Sequence, residues 1–347
     1  MSRVLVVTSG QPFGDGGHMV IARSLAQALK EAGHSAEVQV TPQNRFGRQA
    51  AAYLSTWLTD VGVTQDGEKV AQVISFRFPS YAVRLSAHVC WLNHRMREYY
   101  DLWDRFSRGL TPAQRVKEGI RRQLIHATDH WLLTRNVNRV FAQSKTIQRR
   151  LERFGGIRSE LIYPPPPQRP YRCDEYGDYV FAVSRLTRLK RFVLLIRALA
   201  RPEVGRMRCV IAGDGEMRGE LQALVRSLGL EHRVELVGEI DSAQLVEYLA
   251  RCRAVCFPAF DEDYGFVTVE AFAASKAVVT CTDSGGPTEL VRDGIEGYVT
   301  PPTAEGLGLA LARLVDDERM ARDLGAAAKE AVAGMTWDAV VSRLVIV

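Results

Sequence analysis

No apolar run in the chain approaches the roughly 18 consecutive residues needed to cross a bilayer; VLVV (4–7) and CVIA (209–212) are of buried-strand length. No charged-then-apolar leader opens it, so the expectation is a soluble, cytoplasmic protein. The six cysteines, at positions 90, 173, 209, 252, 256 and 281, include no CxxC pair. Cys252 and Cys256 are four apart with no matching histidine or cysteine pair nearby, which argues against a metal site and leaves buried thiols. The glycines after the first apolar run lack GxGxxG spacing, and no acid clearly ends the second strand; both argue against a dinucleotide dehydrogenase. The basic residues are not interleaved with aromatics as in a single-strand platform, and no recognition motif is present, so nucleic acid is not an expected partner.

At 347 residues the chain exceeds the size at which one core keeps growing, so two domains of about 150 to 180 residues are expected. Their charges differ. Residues 1–166 carry 23 basic and 13 acidic side chains, residues 167–347 carry 22 and 27, and the halves stand at +10 and −5. The first half therefore suits something acidic, such as a phosphorylated acceptor or, by peripheral contact, an anionic membrane; an idle solvated surface is the plainer alternative. Strand-like runs without polar alternation alternate with helical periods throughout: VLVVT, a helix over about 19–32 and AEVQV, then YVFAVS (179–184), RCVIAG (208–213), VELVG, AVCFPA (254–259) and AVVTC. This is the pattern of doubly wound α/β domains. Four prolines, Pro164 to Pro167, can be neither helix nor central strand and mark the expected junction, between a domain 1–166 and a domain 167–336; a proline loop inside one domain is the alternative. Open α/β sheets bind ligands at the carboxyl ends of their strands, and the motifs fall there.

Glu262 and Glu270 bracket EDYGFVTVE directly after the AVCFPA strand. The first belongs to a loop in the crevice, the second to a helix starting near Phe266, whose first amides, at Phe266 and Val267, suit a phosphate. Arg185 and Lys190, in SRLTRLKR, follow another strand and can converge on a diphosphate, while Arg188 and Arg191 read as solvated; a generic basic loop is the bland reading. Gly14, Gly16 and Gly17 let backbone approach a ligand after the first strand, or form only a tight turn. His94 begins the loop or helix after VCWL, within reach of a sugar hydroxyl or packed as a structural histidine, and Arg97 and Tyr100 could share its helix face and meet an acceptor.

Taken in order, the GG pair, the cations of SRLTRLKR, GDGE (213–216), the two glutamates and SGGPTELV (284–291) resemble the family-four, or group-one, glycosyltransferases of the GT-B fold, in which two Rossmann-like doubly wound domains face each other across a cleft. The resemblance covers nearly the whole chain and is most specific from Glu262 to Val291. It implies that Gly16 and Gly17 contact the diphosphate or donor sugar, Arg185 and Lys190 the diphosphate, Glu262 the donor-sugar hydroxyls and Glu270 the ribose. It also implies donor-side roles for Gly213, Gly265, Phe266 and Val267, a base-bracketing role for Glu239 and Ile240, and a catalytic position for His94. The tail from about 337 to 347 is similar to the family's last helix, which packs back on the first domain. FRFPSY (76–81) followed by WLNHRMREYYDLW resembles a subgroup in which a second histidine commonly stands where this chain has Met96. The implied reaction is hexose transfer with retention from a nucleotide-sugar, UDP-linked by preference. The acceptor is a hydroxyl of a saccharide, lipid-linked or small-molecule compound, and neither a cofactor nor a metal is needed. The alternatives are a sugar-nucleotide-binding partner without turnover and a relative performing epimerisation or phosphorolysis.

Overall fold

A computed structural model describes residues 2–10, 16–43 and 47–347. By internal contacts the chain divides into Met1–Pro164 with Thr336–Val347, and Pro165–Met335. The prolines stand at that division. Gly14 lies outside the described residues.

In the first unit the strands are β1 (Arg3–Gly10), β2 (Ser35–Pro42), β3 (Gln72–Ser75), β4 (His88–Leu92), β5 (Arg139–Ala142) and β6 (Glu160–Leu161), all parallel, in the order β2-β1-β3-β4-β5-β6. Their register pairs Val6 with Ile74 and Ile74 with Val89, a buried row across three strands. The helices are α1 (Gly17–Glu31), α2 (Gln49–Leu58), α3 (Trp103–Arg108), α4 (Pro112–Trp131) and α5 (Lys145–Arg153). A capping box between Thr111 and Gln114, with Pro112 at the first helical position, fixes where α4 starts.

The second unit repeats the plan with β7 (Tyr179–Val183), β8 (Arg208–Ala212), β9 (Val234–Gly238), β10 (Ala254–Cys256), β11 (Val278–Cys281) and β12 (Gly297–Thr300), parallel in the order β12-β11-β10-β7-β8-β9. Its helices are α6 (Phe192–Leu199), α7 (Arg218–Ser227), α8 (Ser242–Arg251), α9 (Phe266–Ala273), α10 (Pro287–Leu290), α11 (Ala304–Asp316) and α12 (Glu318–Ala333). Val180, Cys209, Ile211, Ala254, Cys256 and Val279 are buried under α6, α7 and α11, which explains why these strands show no polar alternation. The last helix, α13 (Trp337–Leu344), belongs to the first unit: Trp337 meets Trp91 edge-on, and the Leu344 carbonyl accepts from Gln72 at 2.6 Å.

Five of the six cysteines are buried, and burial pushes the Cys90, Cys209 and Cys252 thiols up to about 12. Cys173 departs from the expectation of buried thiols, since it lies exposed just beyond the prolines. Among the described residues no helix is long and apolar enough to cross a membrane, and no cluster of three or more histidine, cysteine or carboxylate side chains could hold a metal ion.

Candidate active site

Sequential strands in each sheet proceed outward on one side and then resume on the other. In the second unit the chain runs β7, β8, β9, then returns to lay β10 on the opposite flank of β7. The loops leaving β7 and β10 therefore diverge and open a crevice at their carboxyl ends. Arg185 and Lys190 come from the first of these loops and Glu262 from the second.

Lys190 Nζ donates to Glu262 Oε2 at 2.6 Å, with each side chain about one-fifth exposed. The same ammonium lies 5.2 Å from the Phe257 ring centre. Glu262 is held through its backbone: its N–H donates to the Ser284 carbonyl at 2.8 Å, and its carbonyl accepts from Gly286 at 2.8 Å. The SGGPTELV stretch thus positions Glu262 by running beside it. Arg185 is exposed and has no carboxylate partner among the described residues. Its loop is tied to the next one, with Leu186 N–H donating to the Asp214 carbonyl at 2.9 Å and Met217 N–H to the Leu186 carbonyl at 3.0 Å. Gly213 makes that approach possible: it stands at φ +121°, and a Cβ there would lie 2.0 Å from the Ser184 carbonyl oxygen. Glu239 and Ile240 link β9 to α8, at the same end of the sheet, and Asp241 caps α8.

Helix α9 begins one residue after Gly265, which at φ +76° turns the chain where a Cβ would strike Pro287 at 2.6 Å. The amides of Phe266 and Val267 lie in its first turn, ahead of any helical acceptor. One turn on, Glu270 is buried and accepts from the Arg169 guanidinium and, at 3.0 Å, from the Tyr171 hydroxyl. Burial raises its pKa, and this outweighs the lowering by Arg169 and Tyr171. The reading from sequence missed both partners. They are two apart in a short extended segment, the spacing that sends alternate side chains to one side, but they stand 101 and 99 residues before the glutamate they meet, and nothing local in the sequence links them to it.

Arg191 corrects an expectation. Rather than being solvated, it forms a two-pronged pair with Asp283 (2.6 and 2.9 Å) and donates to the carbonyls of Pro258 (2.6 Å) and Ala259 (3.2 Å). It does so from the left-handed region, φ 53°, which puts the guanidinium under the β10 loop. Arg188 does reach outward, to Glu220 on α7 at 3.2 Å. A groove of about 460 Å³ lined by Arg208, Arg226, His232 and Arg233 lies at the amino ends of β8 and β9, the opposite end from these loops, and is not part of the site.

In the first unit the reversal falls between β1 and β3. Gly16 and Gly17 open α1 after β1, and His18 Nδ1 lies 2.9 Å from Nη1 of the buried Arg77, in the loop after β3. His94 follows β4, and its carbonyl accepts from Phe78 N–H at 3.3 Å, so Gly16, Gly17, Arg77 and His94 share one end of this sheet. Arg77 was not picked out in the sequence.

The expected acceptor residues fare differently. Only a single 3-10 turn, Arg97–Tyr99, follows His94, so Arg97 and Tyr100 do not project from a common helix face. Arg97 pairs with Asp101 at 2.6 Å. Tyr100 is buried, donates its hydroxyl to Asp129 at 2.7 Å and stacks on His126 with ring centres 4.2 Å apart. With His94 the two line a cavity of about 20 Å³, room for a water and not a sugar. Packing needs thus take up Tyr100 in place of the acceptor contact expected of it.

Residues 169–331 match the family model described as glycosyl transferases group 1. An exopolysaccharide phosphotransferase of Streptomyces coelicolor is 33% identical over 183 residues, 52% of this chain and 19% of that protein. The N-acetylgalactosamine-N,N'-diacetylbacillosaminyl-diphospho-undecaprenol 4-alpha-N-acetylgalactosaminyltransferase of Campylobacter jejuni is 33% identical over 144 residues, 41% of this chain and 38% of that protein. The chain thus matches well under half the length of either relative. The crystal structure of HepE from Anabaena in complex with UDP and glucose aligns with a TM-score of 0.69 at 18% identity, covering 98% of each chain. The match to the group 1 glycosyl transferases is thus carried by residues 169–331, and the two parallel six-stranded sheets follow the GT-B fold.

Proposed function

We propose that the protein is a retaining hexosyltransferase that takes its sugar from a nucleotide-sugar, UDP-linked by preference, and passes it without a metal to a hydroxyl acceptor in polysaccharide, lipid-linked saccharide or natural-product assembly. The observation that carries this reading is the convergence, at the β7/β10 reversal, of Lys190, Glu262, the first amides of α9 and Glu270. A diphosphate needs positive charge and free amides, which Arg185, Lys190 and the α9 terminus offer. A ribose needs a carboxylate beneath it, which Glu270 offers. The UDP in HepE supports the choice of base, and the undecaprenyl-diphosphate saccharide in the Campylobacter relative's name supports a lipid-linked acceptor.

In the proposed reaction the glycosidic C–O bond breaks as the acceptor oxygen approaches on the same face. The departing diphosphate takes the acceptor's proton while Arg185, Lys190 and the helix amides stabilise the charge it gains. Lys190 then exchanges a carboxylate partner for a phosphate one, which frees Glu262 for the sugar hydroxyls; Glu270 exchanges Arg169 and Tyr171 for the ribose. A sugar-nucleotide-binding protein without turnover is the second reading, favoured by the partners Glu270 already has.

The test is a thermal-shift panel with UDP, GDP and ADP, followed by mass spectrometry of products from the matching nucleotide-sugar. Ligand at 100 times its dissociation constant adds about 2.7 kcal/mol, a rise of about 5 to 11 °C for a unit of this size. A shift with one nucleotide, lost in Glu270→Ala, supports the donor site; no shift with any overturns it. Binding with no sugar released to water or acceptor selects the second reading.

A further inference from the structure

Helix α4 is amphipathic the wrong way round for a helix that only packs. Its inward face holds Glu118, Ile125 and Asp129, while Val116, Ile120, Leu124 and Trp131 stand in a row on the opposite side, 65%, 61%, 65% and 49% exposed. Spacings of four, four and seven keep these side chains on one stripe along the helix, about 23 Å long at 1.5 Å per residue. The stripe continues onto α2. There Leu54 and Leu58 are exposed, and Trp57 meets Trp131 with ring centres 5.4 Å apart. So large an apolar strip left in water calls for a partner.

The charges beside it say which. From 103 to 135 the carboxylates are Asp104, Glu118 and Asp129, against seven arginines and lysines. Two of the three acids are buried: Glu118 is taken up by Arg121 and the Tyr99 hydroxyl, and Asp129 by tyrosine hydroxyls. Lys117 and Arg135 are exposed on one flank of the row, and Arg84 covers the Trp57 ring at 4.9 Å. A second copy seated on this face would bring like charges together, which the arrangement disfavours; an anionic, apolar-cored surface satisfies both the stripe and its rim.

We propose that α4, with the outer face of α2, docks the protein on the surface of an anionic lipid bilayer, Val116, Ile120, Leu124 and Trp131 entering the acyl boundary and the flanking arginines and lysines meeting the headgroup phosphates. This rests on the surface alone and stands whether or not the sugar-transfer reading does.

The test is co-sedimentation of the full chain with phosphatidylcholine vesicles, with and without phosphatidylglycerol. The wild type should pellet with the anionic vesicles and remain in solution with the neutral ones. The double variant Ile120→Glu/Leu124→Glu should weaken the binding about a hundredfold. Its melting temperature should not change, because both side chains are exposed. A charge-matched change elsewhere, Leu228→Glu/Leu309→Glu, at positions 39% and 48% exposed, should leave binding intact. Three outcomes overturn the proposal: no binding to anionic vesicles, binding that Ile120→Glu/Leu124→Glu leaves unchanged, or equal loss with Leu228→Glu/Leu309→Glu, which would make the effect one of net charge. A dimer in sedimentation velocity that dissociates in the double variant would likewise overturn it, in favour of a second copy on this face.

Discussion

Both units reverse their strand order once, between β1 and β3 in the first and between β7 and β10 in the second, yet they place their charged side chains at different depths. In the second unit the pairs line the carboxyl-end loops: Lys190 with Glu262, Arg191 with Asp283, Arg169 with Glu270. In the first unit the carboxylate of Asp129 is buried at the end of α4 and accepts from the hydroxyls of Tyr53, Tyr81 and Tyr100. Those tyrosines come from α2, from the loop after β3 and from the loop that carries His94. A carboxylate bound by one flexible ammonium at the surface can exchange it for a ligand. One enclosed by three aromatic hydroxyls has nothing to exchange with, and fixes the shape of the loops around it.

The largest effect should therefore come from Asp129→Ala. It leaves three hydroxyls without their acceptor, each costing about 1 to 3 kcal/mol, for a loss on the order of 3 to 5 kcal/mol in the first unit. Denaturant unfolding followed separately for the two units would show it, with the second unit unmoved. Asp129→Asn, which keeps one acceptor oxygen, should lose less. A loss under about 1 kcal/mol for the alanine variant would mean the hub does not hold these loops, and the contrast between the units would fail.

The counterpart in the second unit is Lys190→Ala. Its effect should fall on turnover, by about 10² to 10³-fold, or roughly 2.7 to 4 kcal/mol of transition-state stabilisation, while the partly exposed ion pair contributes no more than about 1 kcal/mol to folding. Steady-state rates on the folded variant check this. A Lys190→Ala protein with normal turnover and a large loss of stability would place Lys190 in the same class as Asp129.

Acid should separate the units further. Burial lowers the His88 pKa to about 4, and its Nε2 lies 2.8 Å from Ser75 Oγ between β3 and β4. The unfolded chain takes up this proton first, so between about pH 6.5 and 4 the first unit loses stability as pH falls, by on the order of 3 kcal/mol in all. Asp129 runs against it: burial holds its carboxyl above the usual range, so its share improves on acidification. Glu270, also raised by burial, does the same in the second unit, where no buried histidine opposes it among the described residues. Urea unfolding from pH 7.5 to 4.5 should show the first unit weakening and the second holding or gaining. His88→Gln should flatten the slope of the first, and an unchanged slope would remove His88 as its cause.

Much of this was legible in the chain because its signals are local. Unbroken apolar strands gave the parallel sheets, the prolines stand where the units divide, Arg185, Lys190 and Glu262 sit in loops that follow strands, and Glu270 lies one turn into a helix. What was not legible depends on distance. Tyr53 and Asp129 are 76 residues apart, with no periodicity linking them, and the fate of Tyr100 follows from that hub. Arg191 was misread because its left-handed backbone, not its sequence neighbourhood, turns it inward. Arg169 and Tyr171 stand 101 and 99 residues before the glutamate they meet. The outward stripe on α4 was readable as helix period, but only the fold shows that the apolar side faces water.

The smallest predicted effect decides how finely the site is bounded. SRLTRLKR places four cations within seven residues, and their partners differ: Arg185 has no carboxylate among the described residues, Arg188 reaches Glu220, Lys190 holds Glu262 and Arg191 holds Asp283. The Arg188–Glu220 pair is 64% and 51% exposed at 3.2 Å, so water and salt screen it. Arg188→Ala should change stability by less than about 0.5 kcal/mol and leave turnover as it was. Measured beside Arg185→Ala, which should lower turnover by the same order as Lys190→Ala, the variant separates cations aimed at a ligand from those on the outer surface. If Arg188→Ala lowers turnover with stability unchanged, the diphosphate lies nearer α7 than the Lys190–Glu262 pair suggests, and the second unit's charges are not divided between crevice and surface as their partners indicate.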